Sequence, residues 1–378
     1  MKRNYPVGIQ NFEKIRNGNY CYIDKTDLIY QLIKSGQYYF LSRPRRFGKS
    51  LLISTLEAYF QGKKELFKGL ALAQLEKEWI EYPILHLDLN AQKYDTPESL
   101  YSILNNVLCI WESLYGSRPS ETNLSLRFQG VIQRAAEKWN RPVVILIDEY
   151  DKPMLQAIGN EPLLNDYRNT LKAFYGVMKS CDKYIQFALL TGVTKFSKVS
   201  VFSDLNNLMD ISIDNRFANI CGITEKELLS NFKEDIVELG QKNGMTEEET
   251  KAYLKDMYDG YHFVEYGDDI YNPFSLLNTF AKMKFGSYWF ETGTPTFLVE
   301  LLKHSEYDLH RLTYEMATAD SLSGIDSMYT NPIPILYQSG YLTIKEYDRR
   351  FRTYTLGFPN QEVEEGFLRF LLPCYASP

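Results

Sequence analysis

The sequence predicts an α/β protein, with a parallel-sheet core followed by a helical region and then a winged-helix-like region. Three observations predict it. Short apolar runs at 38–42, 83–89, 143–147 and 185–191 are separated by segments of helix length. These runs are apolar throughout instead of alternating, as expected of strands buried on both faces of a parallel sheet with crossover helices. After Ile223 the grammar changes to helix starts, at Thr224-Glu225-Lys226-Glu227 and Thr246-Glu247-Glu248-Glu249.

The elements follow in order. The run 38–42 is the first strand, and 50–59 is a helix opening directly after Gly48-Lys49-Ser50. The run 83–89 is the second strand, and 97–115 is a helix capped by Thr96. The runs 143–147 and 185–191 are the third and fourth strands, and 218–223 is a weaker fifth candidate. Beyond it the chain reads as mostly helical, broken at Gly260, Pro273, Gly293 and Pro295. The stretch 332–358 reads as a helix, a turn at Gly340, and strands 341–346 and 352–356 around Asp348-Arg349-Arg350. The domains are thus expected at 1–223, 224–325 and 326–378.

Length and composition bound the function. The 378 residues allow two or three domains, and 44% hydrophobic with 24% charged residues exclude a disordered or collagen-like chain. A net charge of −6 means that any polyanion must be bound locally. Five cysteines, far apart and without a C-x-x-C, predict reduced thiols and no structural zinc. With no targeting run and no window of spanning length, a cytoplasmic protein is expected. The 29 tyrosines suggest a Tyr-rich surface or interface, or a compositional habit.

The sharpest motif is Ser42-Arg43-Pro44-Arg45-Arg46-Phe47-Gly48-Lys49-Ser50-Leu51, between the first strand and its helix. In that order, backbone N–H groups and a helix N-terminus can cradle phosphates, with Lys49 on the β/γ oxygens and the Ser50 hydroxyl on Mg²⁺. Position 43 carries Arg where the full pattern has Gly, so either the loop entry differs or Pro44 fixes its path. Three arginines beside Lys49 suit a triphosphate; a solvated basic turn is the bland alternative.

The counterpart is Asp148-Glu149 at the end of the third strand. There Asp148 can hold Mg²⁺ and Glu149 can polarise an attacking water. Asp151 reads as a cap for the next segment. At the fourth strand's end Thr191 is the candidate to sense the γ-phosphate, with Thr194 and Lys195 behind it. Arg216 is weighed as an arginine finger against a surface ion pair. His86, His262, His304 and His310 lie in separate segments; His86 reads as a satisfied core histidine and Asp88 as structural.

These motifs, with Tyr22-Ile23-Asp24-Lys25-Thr26, Asn206-Asn207-Leu208-Met209-Asp210, Cys221-Gly222-Ile223-Thr224, Tyr258-Asp259-Gly260-Tyr261, Tyr271-Asn272-Pro273 and Phe358-Pro359-Asn360, resemble the bacterial AAA-ATPase-like family. That is a P-loop group related to archaeal-type and STAND ATPases, whose members often carry a C-terminal PD-(D/E)xK nuclease domain. Arg43 in place of the first glycine is itself the family's habit. The resemblance implies an additional-strand, catalytic-Glu core with ATP and Mg²⁺ as cofactors. By position, it puts Lys49 on the phosphates, Ser50 and Asp148 on Mg²⁺, Glu149 as base, and the 22–26 segment near the adenine. No nuclease motif precedes Pro378, so a truncated chain or a nuclease-free member is expected, and this chain should not cut nucleic acid.

Three functions compete on this reading. The first is an Mg-ATPase that regulates an attached or partner nuclease. The second is a nucleotide-gated switch that scarcely hydrolyses. The third is a nucleic-acid adaptor using Arg349, Arg350 and Arg352 on the wing. ATP or ADP, a nuclease domain or partner protein, and a second copy of the chain are the partners to consider, and a membrane is not.

Overall fold

A computed structural model describes residues 4–196, 207–292, 298, 315–322 and 331–375. Gly293, Pro295, His304, His310 and Asn206 lie outside the described residues. Two compact units emerge, one formed by Thr26–Ser42 and Ile53–Ile211, the other by Met1–Lys25, Arg43–Leu52 and Ser212–Pro378.

The first unit is built on a parallel five-stranded sheet of β1 (Tyr38–Ser42), β2 (Ile84–Asp88), β3 (Val143–Asp148), β4 (Ile185–Gly192) and β5 (Met209–Asp210), in the order β2-β3-β4-β1-β5. All four expected strands are present. The fifth is a correction: the sheet ends on Met209–Asp210, which pairs with Tyr39 and Phe40, and the 218–223 segment contributes no strand to it. Residues 218–223 are apolar because Ala218, Ile220 and Cys221 are buried in the other unit.

β3 is buried at every position and β4 at all but Gln186, as two-sided burial requires. β2 differs, because it is an edge strand whose burial alternates: Leu85 and Leu87 point into the core while His86 is half-buried and Asp88 exposed. The helices Pro97–Tyr115, Leu124–Trp139 and Glu161–Ser180 add a second layer of core. There Phe128 stacks on Phe174 with centroids 4.4 Å apart and on Trp111 at 5.7 Å. Thr96 holds the N-cap position of the first helix, yet no side-chain capping bond forms; its hydroxyl meets Ser99 Oγ at 3.2 Å instead.

In the second unit β6 (Ile223–Thr224) and β7 (Ile270–Tyr271) form a two-stranded antiparallel pair. A three-stranded antiparallel sheet has the order β8 (Met316–Thr318), β10 (Thr353–Gly357), β9 (Thr343–Asp348). The helix Ile333–Gln338, the turn at Gly340 and the hairpin β9–β10 follow the expected order, and β8 is an addition to it.

Both expected capping boxes form. Thr224 and Glu227 start the helix Glu225–Asn231, and Thr246 and Glu249 start Glu247–Tyr258. The core of this region gathers Leu228, Phe232, Ile236, Leu254, Tyr258, Leu276 and Phe280. Tyr39, Tyr94 and Tyr150 are fully buried, each hydroxyl donating to a backbone carbonyl, of Leu32, Leu89 and Thr194 respectively. No helix among the described residues is long and apolar enough to cross a membrane.

Candidate active site

The basic loop follows β1 directly in the chain and opens the helix Lys49–Phe60. Its path needs two left-handed residues, Arg46 at φ +66° and Gly48 at φ +100°, so glycine at 48 answers a backbone requirement. Alternation of this kind turns successive N–H groups toward one concavity, the geometry that binds anions. Lys49 is buried, and its ammonium donates to the carbonyl oxygens of Arg43 and Pro44 at 3.1 and 3.3 Å, which ties the loop's two ends together. Ser50 is the second residue of the helix and half-buried, as is Leu51.

The three arginines have different surroundings. Arg43 is buried, donates to the carbonyls of Ser212 and Ala218 at 2.7 and 3.3 Å, and lies over the Phe263 ring at 4.2 Å. Arg45 is half-buried, and its carbonyl accepts from Trp289 Nε1 at 2.9 Å. Arg46 is exposed, with its guanidinium 5.0 Å from the centre of the Phe274 ring. Phe47 is buried edge-on against Tyr261, centroids 4.7 Å apart, and its carbonyl accepts from Gly222 N.

In the other unit, Asp148 ends β3 and is 5% exposed. Its Oδ1 accepts from the Thr191 hydroxyl of the neighbouring β4 at 2.5 Å and from Glu149 N at 3.1 Å, which fixes the carboxylate's orientation. Glu149 is half-buried and takes φ +54°, an uncommon backbone for a residue with a side chain. Asp88 pairs in register with Asp148 across β2 and β3, and its own Oδ1 accepts from Asn90 N, in keeping with a structural part. The Lys152 ammonium donates to the carbonyl of Asn90 at 2.8 Å; burial lowers its pKa, against the pull of Glu149 and Asp88.

Two expectations are corrected here. Asp151 occupies the N-cap position of the helix Lys152–Gln156, but its side chain caps nothing there. It is fully buried and accepts from Val193 N, Thr194 N and the Thr194 hydroxyl, so it anchors the turn after β4. His86 is half-buried, not a satisfied core residue: Nδ1 lies 3.3 Å from Glu57 and Nε2 is buried without a hydrogen-bond partner. Burial would depress its pKa, yet Glu57, Asp148 and Asp88 outweigh that and raise it.

The remaining candidates are placed as follows. Lys195 forms an ion pair with Asp210, and Arg216 pairs with Asp214 two residues away. Lys25 pairs with Glu227 at 2.7 Å, and His262 with Asp269 at 3.0 Å. Arg349, Arg350 and Arg352 stand exposed at the β9–β10 tip beside Phe351. Trp289, Phe263 and Glu362, around the loop and behind it, carry no signal in the sequence, since no local pattern marks residues more than 200 positions downstream. Among the described residues Cys21, Cys181 and Cys221 are buried and Cys109 is exposed, and no group of three His, Cys, Asp or Glu could hold a metal ion by itself.

Comparison with known proteins places this arrangement. A family model for predicted AAA-ATPases matches residues 6–202, which include the loop, Asp148, Glu149 and Thr191. An uncharacterised protein of the vnfD 5′ region in Azotobacter chroococcum mcd 1 is 39% identical over 380 residues, covering 99% of this chain and 71% of the relative. With over half of its length matched, and a parallel sheet that carries the acidic strand end beside Thr191, the chain belongs to the predicted AAA-ATPase family.

Proposed function

We propose that this chain binds Mg-ATP and hydrolyses it, using the nucleotide state to regulate a nuclease or another partner through its C-terminal regions. The observation that carries the reading is the loop itself. A buried Lys49 ties the ends of a left-handed, N–H-rich turn at the start of a twelve-residue helix, the chemistry a polyphosphate needs.

Each residue then has a part. Backbone groups of residues 43–51 cradle the phosphates, and Lys49 takes the β/γ oxygens. Ser50 and Asp148 are the residues that would hold Mg²⁺, each offering the hard oxygen that this cation prefers. The fit rests on Asp148 being oriented through Oδ1 by Thr191 and Glu149 N. Bound Mg²⁺ supplies charge neutralisation across the phosphates. Glu149 orients a water and accepts its proton as the water oxygen bonds to the γ-phosphorus and the bond to the β–γ bridging oxygen breaks, with ADP leaving. Thr191 answers the γ-phosphate through its bond to Asp148.

The strand order, with β4 between β1 and β3, supports the additional-strand, catalytic-Glu class. The helix Ile333–Gln338 with the β8-β10-β9 sheet supports a winged-helix-like region. The division 1–223, 224–325 and 326–378 belongs to the same reading, as does a cytoplasmic location, which the five widely spaced cysteines favour. A slowly hydrolysing switch is the second reading. It draws on the engagement of Arg216 with Asp214, which leaves the arginine finger unassigned.

Steady-state turnover with equilibrium Mg-ATP binding tests the assignment. Lys49→Ala should lose binding, and Glu149→Gln should bind normally but turn over about a hundredfold more slowly or less. Wild-type turnover in both variants would refute these roles, and binding without turnover in the native chain would leave the switch.

A further inference from the structure

One chain of hydrogen bonds runs within a single unit from the phosphate loop to the last helix. Trp289 is 2% exposed, and its indole N–H donates to the Arg45 carbonyl at 2.9 Å. Its backbone N–H donates to Glu362 Oε1 at 2.8 Å and lies 3.0 Å from Ser275 Oγ. The Ser275 hydroxyl lies 2.9 and 2.8 Å from the two oxygens of Glu362. Glu362 is 0% exposed and is the second residue of the helix Gln361–Tyr375. The same loop is gripped at Pro44 as well: a Cβ added to Gly340, which sits at φ +86°, would come within 2.7 Å of the proline ring.

A trans peptide directs its C=O and N–H to opposite sides. Holding the Arg45 carbonyl on Trp289 therefore aims the Arg46 N–H the other way, just before the left-handed residues that turn the loop's donors inward. Removing an indole N–H from a neutral carbonyl shifts a two-state peptide several-fold. Trp289, Ser275 and Glu362 act through the Arg45 carbonyl, so their effect is on which loop conformation is populated.

We propose that Trp289 and Glu362 are positioning residues for the phosphate loop, fixing the Arg45–Arg46 peptide in its anion-binding orientation, so that the helix Gln361–Tyr375 governs nucleotide affinity. The proposal rests on the nucleotide-binding reading above. Burial pushes the Glu362 carboxyl up to about 7, opposed by the Ser275 hydroxyl and the N–H groups of Trp289 and Phe290, with Glu291 adding to the rise. Tyr258 and Tyr261, which also interact with Glu362, are themselves raised by burial and stay neutral. Protonation below pH 7 turns one acceptor oxygen into a donor and loosens the hold on Trp289.

The experiment is equilibrium binding of a fluorescent Mg-ADP analogue to the full chain at pH 8 and pH 6, with circular dichroism confirming that each variant is folded. Wild type should bind and Lys49→Ala should not, which checks the nucleotide reading separately; no binding by wild type brings down both. Trp289→Phe keeps the ring and removes the donor, and should weaken binding roughly five- to tenfold. Affinity within twofold of wild type in that variant overturns the role of Trp289. Wild-type affinity should fall between pH 8 and pH 6 by several-fold more than that of Glu362→Gln, and matching pH profiles overturn the role of Glu362.

Discussion

Arg43 and Asp151 show what a residue's identity conveys and what it does not. Arg43 departs from the glycine of the full phosphate-loop pattern, and its guanidinium is buried on two carbonyls and the Phe263 ring. Such planar, multidentate donation is a use for which Lys is no substitute. Asp151 is legible as an acidic residue after a core strand and reads as a cap, because capping is the local use of such a residue, whereas its true partners lie about forty positions on. A buried carboxylate that accepts three donors makes charge-assisted bonds, and removing it strands two buried N–H groups. Asp151→Ala should lower the unfolding free energy by about 3 kcal/mol in urea titrations, with Asp151→Asn intermediate.

The elements were legible where local chemistry decides them. Strands β1, β3 and β4 announced themselves as continuous apolar runs because both of their faces are covered, and the two capping boxes were read from four residues each. The fifth strand was misplaced for the opposite reason. Met209–Asp210 is a two-residue edge strand with Met209 exposed, so hydrophobicity carries no signal for it, whereas 218–223 is apolar on account of burial elsewhere. The helix Glu247–Tyr258 offers a clean test of the cap. Thr246→Ala should cost about 1 kcal/mol of stability, measured by thermal or urea unfolding, and Thr246→Ser should restore most of it. A loss below a few tenths would mean that packing of Leu254, Met257 and Tyr258 holds the helix without its cap.

At the scale of the whole molecule, an acidic chain of net charge −6 concentrates arginines and Lys49 in one seven-residue stretch, which favours a small polyanion over nonspecific nucleic-acid binding. Ligand that binds only the folded chain must stabilise it by mass action. Mg-ADP at a hundredfold its dissociation constant should therefore raise the thermal midpoint by about 3 to 6 °C, in a differential scanning measurement. Lys49→Ala should show no such rise, and EDTA should shrink the rise of the native protein if Mg²⁺ carries part of the affinity.

What the sequence determined by itself was whatever depends on neighbours along the chain: the order of most strands and helices, the Gly48-Lys49-Ser50 tripeptide at a helix start, and the acidic end of β3. Tertiary structure alone decided that Thr191 orients Asp148, that Asp151 anchors the turn after β4, and that Trp289 and Glu362 stand behind Arg45. The physical reason is range. Periodicity and capping act over a few residues and leave a local pattern, whereas these hydrogen bonds close over separations of 42 to 244 residues. At that range the chain records only that a polar residue is present, and packing selects its partner.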